Sequence, residues 1–244
     1  MELHGKVAIV TGGAVRIGRA ISLALADAGA AVLVHSSHSG AQASKTVEEI
    51  VSRGGRAAAV SADFTDPVPA ARTVMQAAIH HFGRVEVLVN SAAIFGPGTL
   101  ASTNEADWDR HFAINLKAPC FLCREFAARH TQGEPANIVN IVDWRGLRPA
   151  PGYLPYTLTK SAMVALTAIL AQELAPDIRV NAVAPGAILP PAGAGRDYMQ
   201  RLAEQVPLRR NGSPDDVTSA VLFLLRSDFV TGEVLRVTGG EHLP

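Results

Sequence analysis

The stretch "KVAIVTGGAVRIGRA", residues 6–20, decides the fold of this chain. It begins with an apolar run typical of a strand buried on both faces, and a glycine-containing turn then leads into a helix. Gly12 and Gly18 bracket the turn. Glycine lets the backbone approach a ligand closely, and the free N–H groups of a helix N-terminus bind anions. The stretch predicts a phosphate-binding turn, with an ordinary strand-to-helix connection as the alternative.

The rest of the chain repeats this alternation of strand and helix. Apolar, β-branched runs predict seven strands, at 6–10, 30–35, 56–63, 85–90, 137–142, 178–184 and 233–238. Helical patterns lie between them, at 17–28, 41–53, 67–82, 105–130, 155–175 and 214–226. We therefore predict an α/β fold with one doubly wound, seven-stranded parallel sheet. Residues 1–244 show no linker or repeat, which indicates a single domain, and the segment 185–204 is predicted to be a substrate loop.

Charge and composition narrow the function. The chain has 22 basic and 22 acidic residues and no basic stripe, which argues against a nucleic-acid partner. We identify no apolar run of the roughly 18 to 20 residues that a membrane span needs, and no signal-peptide pattern. We expect a soluble, cytoplasmic protein with a small-molecule substrate. Cys120 and Cys123 have redox or metal spacing, but their helical context favours an apolar role, and we expect no metal site.

The end of the second strand bears on the cofactor. Residues 35–39 read "HSSHS" and contain no acid, whereas an NAD enzyme tends to place Asp or Glu there to hold the ribose 2′-hydroxyl. His35, Ser36 and Ser37 can donate to a 2′-phosphate, and Arg16 adds a cation where a third glycine is usual, so we favour NADPH. Alternatively, the serines cap the next helix. Further cofactor contacts are predicted at the turn and the strand ends, from Ile17, Asp63, Phe64, Asn90, Ala92, Pro185, Gly186 and Ile188.

Tyr156 and Lys160 lie four residues apart in a predicted helix and share one of its faces. A neighbouring ammonium lowers the pKa of a phenol, which makes Tyr156 a candidate general acid or base. Asp143 follows the strand at 137–142, so its carboxylate is expected at the same edge of the sheet. A surface Tyr–Lys pair without function is the alternative.

Five motifs stand in the order found in short-chain dehydrogenases/reductases: "TGGAVRIG", "NSAA" after the fourth strand, Asn115, Y-x₃-K and "APG". The chain resembles this family throughout, up to "FVTGEVLRVTGGEHL" at 229–243. The resemblance implies a Rossmann-type domain and a homotetramer or homodimer, with interfaces formed by the helices around 105–130 and 155–175. It also implies that Tyr156 donates a proton, that Lys160 holds the nicotinamide ribose and lowers the tyrosine pKa, and that Asn115 supports a proton-relay water.

Asp143 departs from the family, because it occupies the position of a substrate-binding serine. Together with Arg16, it resembles the pattern of pteridine reductases and of dihydromonapterin or dihydrofolate reductases. An ionised carboxylate only accepts hydrogen bonds, so it suits the N–H donors of a pterin better than the oxygen of a ketone. The resemblance also implies substrate contacts from Arg16, and Phe95 falls where an aromatic stacks on the pterin. Trp144 is a second lining candidate, and core packing is the alternative for both aromatic residues.

Three functions remain open at this point. The first is an NADPH-dependent reductase of a pterin-like substrate, and the second is a carbonyl reductase or alcohol dehydrogenase in which Asp143 is protonated or structural. The third is a dinucleotide-binding module without activity, against which the complete set of Asn115, Tyr156 and Lys160 argues.

Overall fold

The computed structural model describes residues 1–191, 193–194 and 197–243. Its seven strands form one parallel sheet in the order β3-β2-β1-β4-β5-β6-β7. The strands are β1 (Val7–Val10), β2 (Ala31–Ser36), β3 (Arg56–Ser61), β4 (Val87–Asn90), β5 (Ala136–Ile141), β6 (Ile178–Pro185) and β7 (Val234–Val237). The strand order reverses between β1 and β4, and open α/β sheets bind ligands beside such a switch point.

Helices connect the strands. They are α1 (Arg16–Asp27), α2 (Gly40–Ser52), α3 (Pro67–Phe82), α4 (Glu105–Phe112), α5 (Ala118–Ala127), α6 (Leu154–Glu173), α7 (Tyr198–Gln205) and α8 (Pro214–Arg226). A π-helical turn, Ala113–Lys117, joins α4 to α5, and a 3₁₀ turn, Trp144–Gly146, follows β5.

Alternate residues of each central strand enter opposite halves of the core. In β1, Val10 packs in a cluster that includes Leu25 of α1 and Leu224 of α8. Ile9 packs in a second cluster with Met75 of α3 and Phe126 of α5. Because a strand directs successive side chains to opposite faces, both faces of the sheet are covered by helices.

The predicted α/β fold with a seven-stranded parallel sheet is confirmed, and the predicted strand bounds differ from the observed ones by at most two residues. The edge strands β3 and β7 are partly exposed, because each has a neighbour on one side only. The helix predicted at 105–130 is interrupted by the π-helical turn.

The segment predicted as a loop at 185–204 contains most of α7. Its pattern of Pro, Gly and Ala gave no helical signal before Tyr198, so the short amphipathic helix was missed. Residues 192, 195 and 196 of this segment lie outside the described residues.

Helix α6 is 20 residues long with a mean hydropathy of 1.3, which by length and composition alone is enough to cross a membrane. The expectation that no apolar run reaches this length is therefore wrong for this segment. This is weak evidence of a span, since core helices of soluble proteins pass the same test, and 44% of the apolar window is buried inside the fold. The buried side chains of α6 include Tyr156 and Lys160.

Candidate active site

A cavity of about 760 Å³ opens at the carboxyl ends of β1, β4, β5 and β6. It brings together most of the predicted site residues: Gly12, Arg16, Ile17, Gly18, Ala92, Phe95, Asp143, Tyr156, Lys160, Pro185, Gly186 and Ile188. The others do not line it within the described part of the chain: His35, Ser36, Ser37, Asp63, Phe64, Asn90, Asn115 and Trp144. The predicted phosphate turn and the predicted catalytic pair thus face one space.

The glycines of the turn leave room for close backbone approach. Gly12 has a φ of +63°, and a Cβ added there would lie 3.0 Å from the Cα of Ala92. A Cβ added at Gly18 would collide with the carbonyl oxygen of Gly12. The first turn of α1 carries no acidic residue, so its free N–H groups present an uncompensated positive end to the cavity. The turn therefore fits the pyrophosphate of a dinucleotide.

Arg16 lines this cavity. Its φ of +53° lies in the left-handed region, which costs an L-residue other than glycine about 1 kcal/mol or more. Its guanidinium Nη2 donates a 2.7 Å hydrogen bond to the carbonyl oxygen of Pro190. The phosphate turn is thereby linked to the segment 185–204 predicted to contact substrate.

His35 supports the turn from below rather than facing a ligand. The Gly12 N–H donates to its Nδ1 at 3.2 Å, and its Nε2 lies 2.9 Å from the Ala62 carbonyl oxygen, so the ring is neutral with its proton on Nε2. Burial lowers the pKa of His35 to about 4, and the ring stacks on Phe64 at 4.3 Å between centroids. The expectation that His35 donates to a 2′-phosphate is wrong, since both ring nitrogens are already engaged.

The hydroxyls of Ser36 and Ser37, which follow His35, differ in whether they already have a hydrogen-bond partner. The Ser36 Oγ is buried and has no hydrogen-bond partner within the described residues. The Ser37 Oγ lies 2.9 Å from the Nδ1 of His38. Asp63, at the end of β3, lies 3.7 Å from the His38 Nε2, and the Thr65 backbone N–H is the main cause that lowers the pKa of its carboxyl.

Asn90 belongs to a buried polar chain beneath the cavity. Its Nδ2 donates to the Oδ1 of Asn140 at 2.9 Å and lies 3.4 Å from the Sγ of Cys123. Asn140 donates in turn to the Oγ1 of Thr167. Burial raises the pKa of the Cys123 thiol to about 12, so this cysteine stays protonated at neutral pH.

The catalytic end is built around a carboxylate and a phenol. The Tyr156 hydroxyl donates a 2.8 Å hydrogen bond to the Oδ2 of Asp143, and the Arg145 backbone N–H donates a 2.8 Å bond to the Oδ1. The Lys160 Nζ donates to the Ile141 carbonyl oxygen at 2.7 Å. Tyr156 and Lys160 are both buried, so these bonds hold two titratable groups in fixed positions on one face of α6.

The pKa of Tyr156 shifts in the opposite direction to the one expected from the sequence. Burial, and next the Asp143 carboxylate, raise the pKa of the phenol well above its usual value. Burial lowers the pKa of Lys160 to about 8. The Lys160 ammonium lies 5.7 Å from the centre of the tyrosine ring, whereas the carboxylate is bonded to its hydroxyl. In this structure Tyr156 is therefore a protonated donor rather than a phenolate.

Asn115 lies in the π-helical turn between α4 and α5. Its Oδ1 accepts from the Ile94 N–H at 2.9 Å, and its Nδ2 donates to the Ile94 carbonyl oxygen at 3.0 Å and to the Thr159 Oγ1 at 3.3 Å. Asn115 thus ties the segment after β4 to α6. Because Ile94 precedes Phe95, this clamp also fixes the aromatic residue that lines the cavity.

An aromatic column forms one wall. Phe95, 41% exposed, stacks on Tyr153 at 4.5 Å and meets the Tyr156 ring edge-on at 4.7 Å. The Arg145 guanidinium lies 5.5 Å from the Tyr153 ring and 4.9 Å from the Trp144 ring. The chain turns into the 3₁₀ helix directly after Asp143, so Arg145 lines the cavity and Trp144 does not, contrary to the prediction.

The sequence reasoning missed Arg145, Tyr153 and Glu241, all of which line the cavity. Two signals were available for them. Arg145 and Tyr153 lie between Asp143 and Tyr156 in the chain, so they had to lie near both. Glu241 follows β7, and the carboxyl end of a parallel strand lies at the same edge as the ends of its neighbours.

Known proteins share the sequence and the fold. A family described as enoyl-(acyl carrier protein) reductase matches residues 13–242. An uncharacterised oxidoreductase of Methylorubrum extorquens is 40% identical, with 98% of each chain covered. The chain belongs to the short-chain dehydrogenase/reductase superfamily. It is therefore an oxidoreductase of a superfamily that uses NAD(P), and the alternative of a binding module without activity is set aside.

Two further relatives have names that indicate different activities. The 3-oxoacyl-[acyl-carrier-protein] reductase FabG of Staphylococcus epidermidis is 33% identical, with 98% of this chain and 99% of the relative covered. The crystal structure of FolM alternative dihydrofolate reductase 1 from Brucella canis, complexed with NADP, is 34% identical and superposes with a TM-score of 0.95. That comparison covers 100% of this chain and 96% of FolM.

Proposed function

We propose that this short-chain reductase uses NADPH to reduce a C=N bond of a pterin-like substrate. One observation carries the proposal: the proton-donating hydroxyl of Tyr156 is bonded to a carboxylate, Asp143, at 2.8 Å. A carboxylate at this position accepts hydrogen bonds and does not orient a ketone oxygen. The likeness to FolM supports the same substrate class.

The residues present fit a dinucleotide. The turn from Gly12 to Gly18 would hold the pyrophosphate, Lys160 the nicotinamide ribose, and the backbone of Pro185 to Ile188 the nicotinamide. NADPH supplies the hydride when bound. No acid occurs at residues 35–39, which supports NADPH over NADH, as does the NADP in the FolM structure.

The remaining chemistry belongs to the side chains of the chain itself. Tyr156 holds its proton at neutral pH, because burial and Asp143 raise its pKa, and it gives that proton to the ring nitrogen of the reduced bond. Asp143 accepts a hydrogen bond from an N–H of the substrate once the Tyr156 hydroxyl has turned from Asp143 to the substrate ring. Phe95 offers a partly exposed ring face for stacking. Two groups of Arg145 keep the Asp143 carboxylate in place. The backbone N–H of Arg145 donates to the Asp143 Oδ1, and the guanidinium Nη1 lies 3.7 Å from the same oxygen.

Ketone reduction is the second candidate, because FabG is 33% identical over nearly the whole chain. It requires Asp143 to be protonated or displaced, since only a donor assists a carbonyl oxygen.

A substrate screen separates the two candidates. NADPH consumption is measured with dihydrobiopterin, dihydromonapterin, dihydrofolate, a 3-oxoacyl thioester and a simple ketone. Turnover of at least one dihydropterin with a kcat/KM well above that of the ketones is expected. Efficient ketone reduction with no pterin turnover would overturn the proposal in favour of the FabG-like activity.

We also propose that the protein is a cytoplasmic homotetramer or homodimer. Apolar side chains are exposed on the helices predicted to form its interfaces, with Trp108 37%, Leu158 39% and Ile169 50% exposed. Light scattering on a sizing column tests the assembly, and a monomer at micromolar concentration would contradict it.

A further inference from the structure

A second carboxylate, that of Glu241, lines the same cavity as Asp143. Glu241 follows β7 in the C-terminal segment, and its Oε2 accepts a 2.9 Å hydrogen bond from the Ala187 N–H. A Cβ added at Gly186 would lie 2.5 Å from this oxygen. Glycine at that position is therefore what lets the carboxylate reach the loop after β6.

The segment that carries Glu241 is held in place from two sides. The Arg148 guanidinium donates to the carbonyl oxygens of His242 and Leu243, at 3.1 and 2.7 Å. The Thr238 Oγ1 lies 2.7 Å from the Nδ1 of His242, and the Glu241 N–H donates to the Thr238 carbonyl oxygen. Glu241 thus projects from a fixed backbone, which a binding residue needs.

The two cavity carboxylates differ in the acceptor capacity that they leave for a ligand. Both oxygens of Asp143 are engaged, one by the Tyr156 hydroxyl and one by the Arg145 N–H. The Oε2 of Glu241 is engaged by Ala187, and the Trp144 indole N–H is near enough to lower the pKa of the carboxyl, but no donor among the described residues lies within hydrogen-bond distance of the Oε1. A carboxylate oxygen accepts up to two hydrogen bonds, so the Glu241 Oε1 is the more available acceptor in the cavity.

The surroundings of Glu241 favour a ligand that brings N–H donors. Burial is the main cause that raises the pKa of its carboxyl, and the Asp143 carboxylate raises it further, while the Ala187 N–H, Arg145 and Trp144 lower it. A donor from a bound ligand would replace water that burial has removed from this group.

We propose that Glu241 binds the substrate, with its Oε1 accepting a hydrogen bond from the 2-amino group of the pyrimidine ring. The inference rests on the proposed pterin reductase activity and assigns the two acids separate tasks. Asp143 works with Tyr156 at the reduced bond, and Glu241 recognises the amino-bearing edge. An aliphatic ketone has no such edge and gains nothing from Glu241.

The substitution Glu241→Gln tests this, because glutamine keeps an oxygen for the Ala187 N–H but puts an amide donor in place of Oε1. The dissociation constant of biopterin for the NADP⁺-bound protein is measured by the fluorescence of the pterin. In a second assay, KM and kcat are measured with a dihydropterin and with its 2-deamino analogue. For the amino-bearing compounds, we expect dissociation constant and KM to rise about ten- to hundredfold. The kcat and the NADPH affinity should stay near wild type, and Glu48→Gln, an exposed glutamate of α2, is the matched control.

The 2-deamino analogue decides the interpretation. It should bind the wild type and Glu241→Gln about equally, because it lacks the donor that Glu241 recognises. Unchanged binding of the amino-bearing pterins by Glu241→Gln would show that Glu241 only braces the loop, and equal weakening of both compounds would assign it to pocket shape; either result overturns the inference. If the wild type neither binds nor reduces any pterin, the proposed function itself fails, which is a different result.

Discussion

The substitution Asp143→Ser tests the proposed chemistry most directly. In the structure, Asp143 accepts hydrogen bonds from Tyr156 and Arg145, and in the proposed complex it accepts from the substrate ring. Serine is shorter and offers one hydroxyl, so a ring N–H in the complex loses its acceptor. Leaving a buried donor unpaired costs about 1–3 kcal/mol. That corresponds to a loss of roughly 5- to 150-fold in kcat/KM for the pterin.

A ketone substrate should respond differently. The serine hydroxyl can donate to a carbonyl oxygen, which an ionised Asp143 cannot do, so kcat/KM for the ketone should stay constant or rise. The pH profile should change as well. Because the Asp143 carboxylate is one of the causes that raise the pKa of Tyr156, its removal should move the basic limb of the profile to lower pH.

The assay is kcat/KM for one dihydropterin and one ketone, in wild type and variant, across pH. Asp228→Ser, at an exposed loop position before β7, controls for the loss of one charge and should leave kcat/KM unchanged for both substrates. An equal fall for both substrates in Asp143→Ser would refute the reasoning, because it would show that Asp143 serves the fold or the cofactor rather than ring recognition.

Three further predictions follow from the same site. Tyr156→Phe keeps the ring but removes the proton, so kcat should fall about 10²- to 10⁴-fold while NADPH affinity, measured by fluorescence titration, changes little; near-normal turnover would remove Tyr156 from the mechanism. NADPH should bind more tightly than NADH in the same titration, and equal affinities would contradict the role given to the acid-free end of β2. His35 is held neutral with a pKa of about 4 against 6.5 when unfolded, so its contribution of about 3 kcal/mol is fully present above pH 6.5 and is lost as the pH falls towards 4. Urea midpoints across that range should show the loss in wild type and not in His35→Gln; parallel curves would show that other groups dominate.

The sheet could be predicted from the sequence because its signal is local. The run from Val7 to Val10 is apolar throughout, as suits a strand between two helical layers, and the other central strands are mostly apolar. Helix α7 escaped prediction because its eight residues follow a Pro, Gly and Ala-rich stretch and bury no residue fully. Asn115, in the π-helical turn, is bonded to Ile94, 21 residues away in the chain, and no local pattern reveals such a contact.

The positions of the site residues could be predicted from the sequence, but the direction of the Tyr156 pKa shift could not. Spacing placed Tyr156, Lys160 and Asp143 at one edge of the sheet. It did not tell how deeply the phenol is buried or which charge lies nearer to it, and burial, followed by the Asp143 carboxylate, reverses the pKa shift expected from Lys160. The role of His35 was likewise decided by a tertiary contact, since its ring is used by Gly12 and Ala62.

The contact between Arg16 and Pro190 is a weak one. A single exposed hydrogen bond contributes about 0.5–1.5 kcal/mol, which favours the bonded arrangement over the separated one by a factor of only about two to ten. The same weakness leaves Arg16 free to exchange its carbonyl partner for an anionic ligand within each turnover.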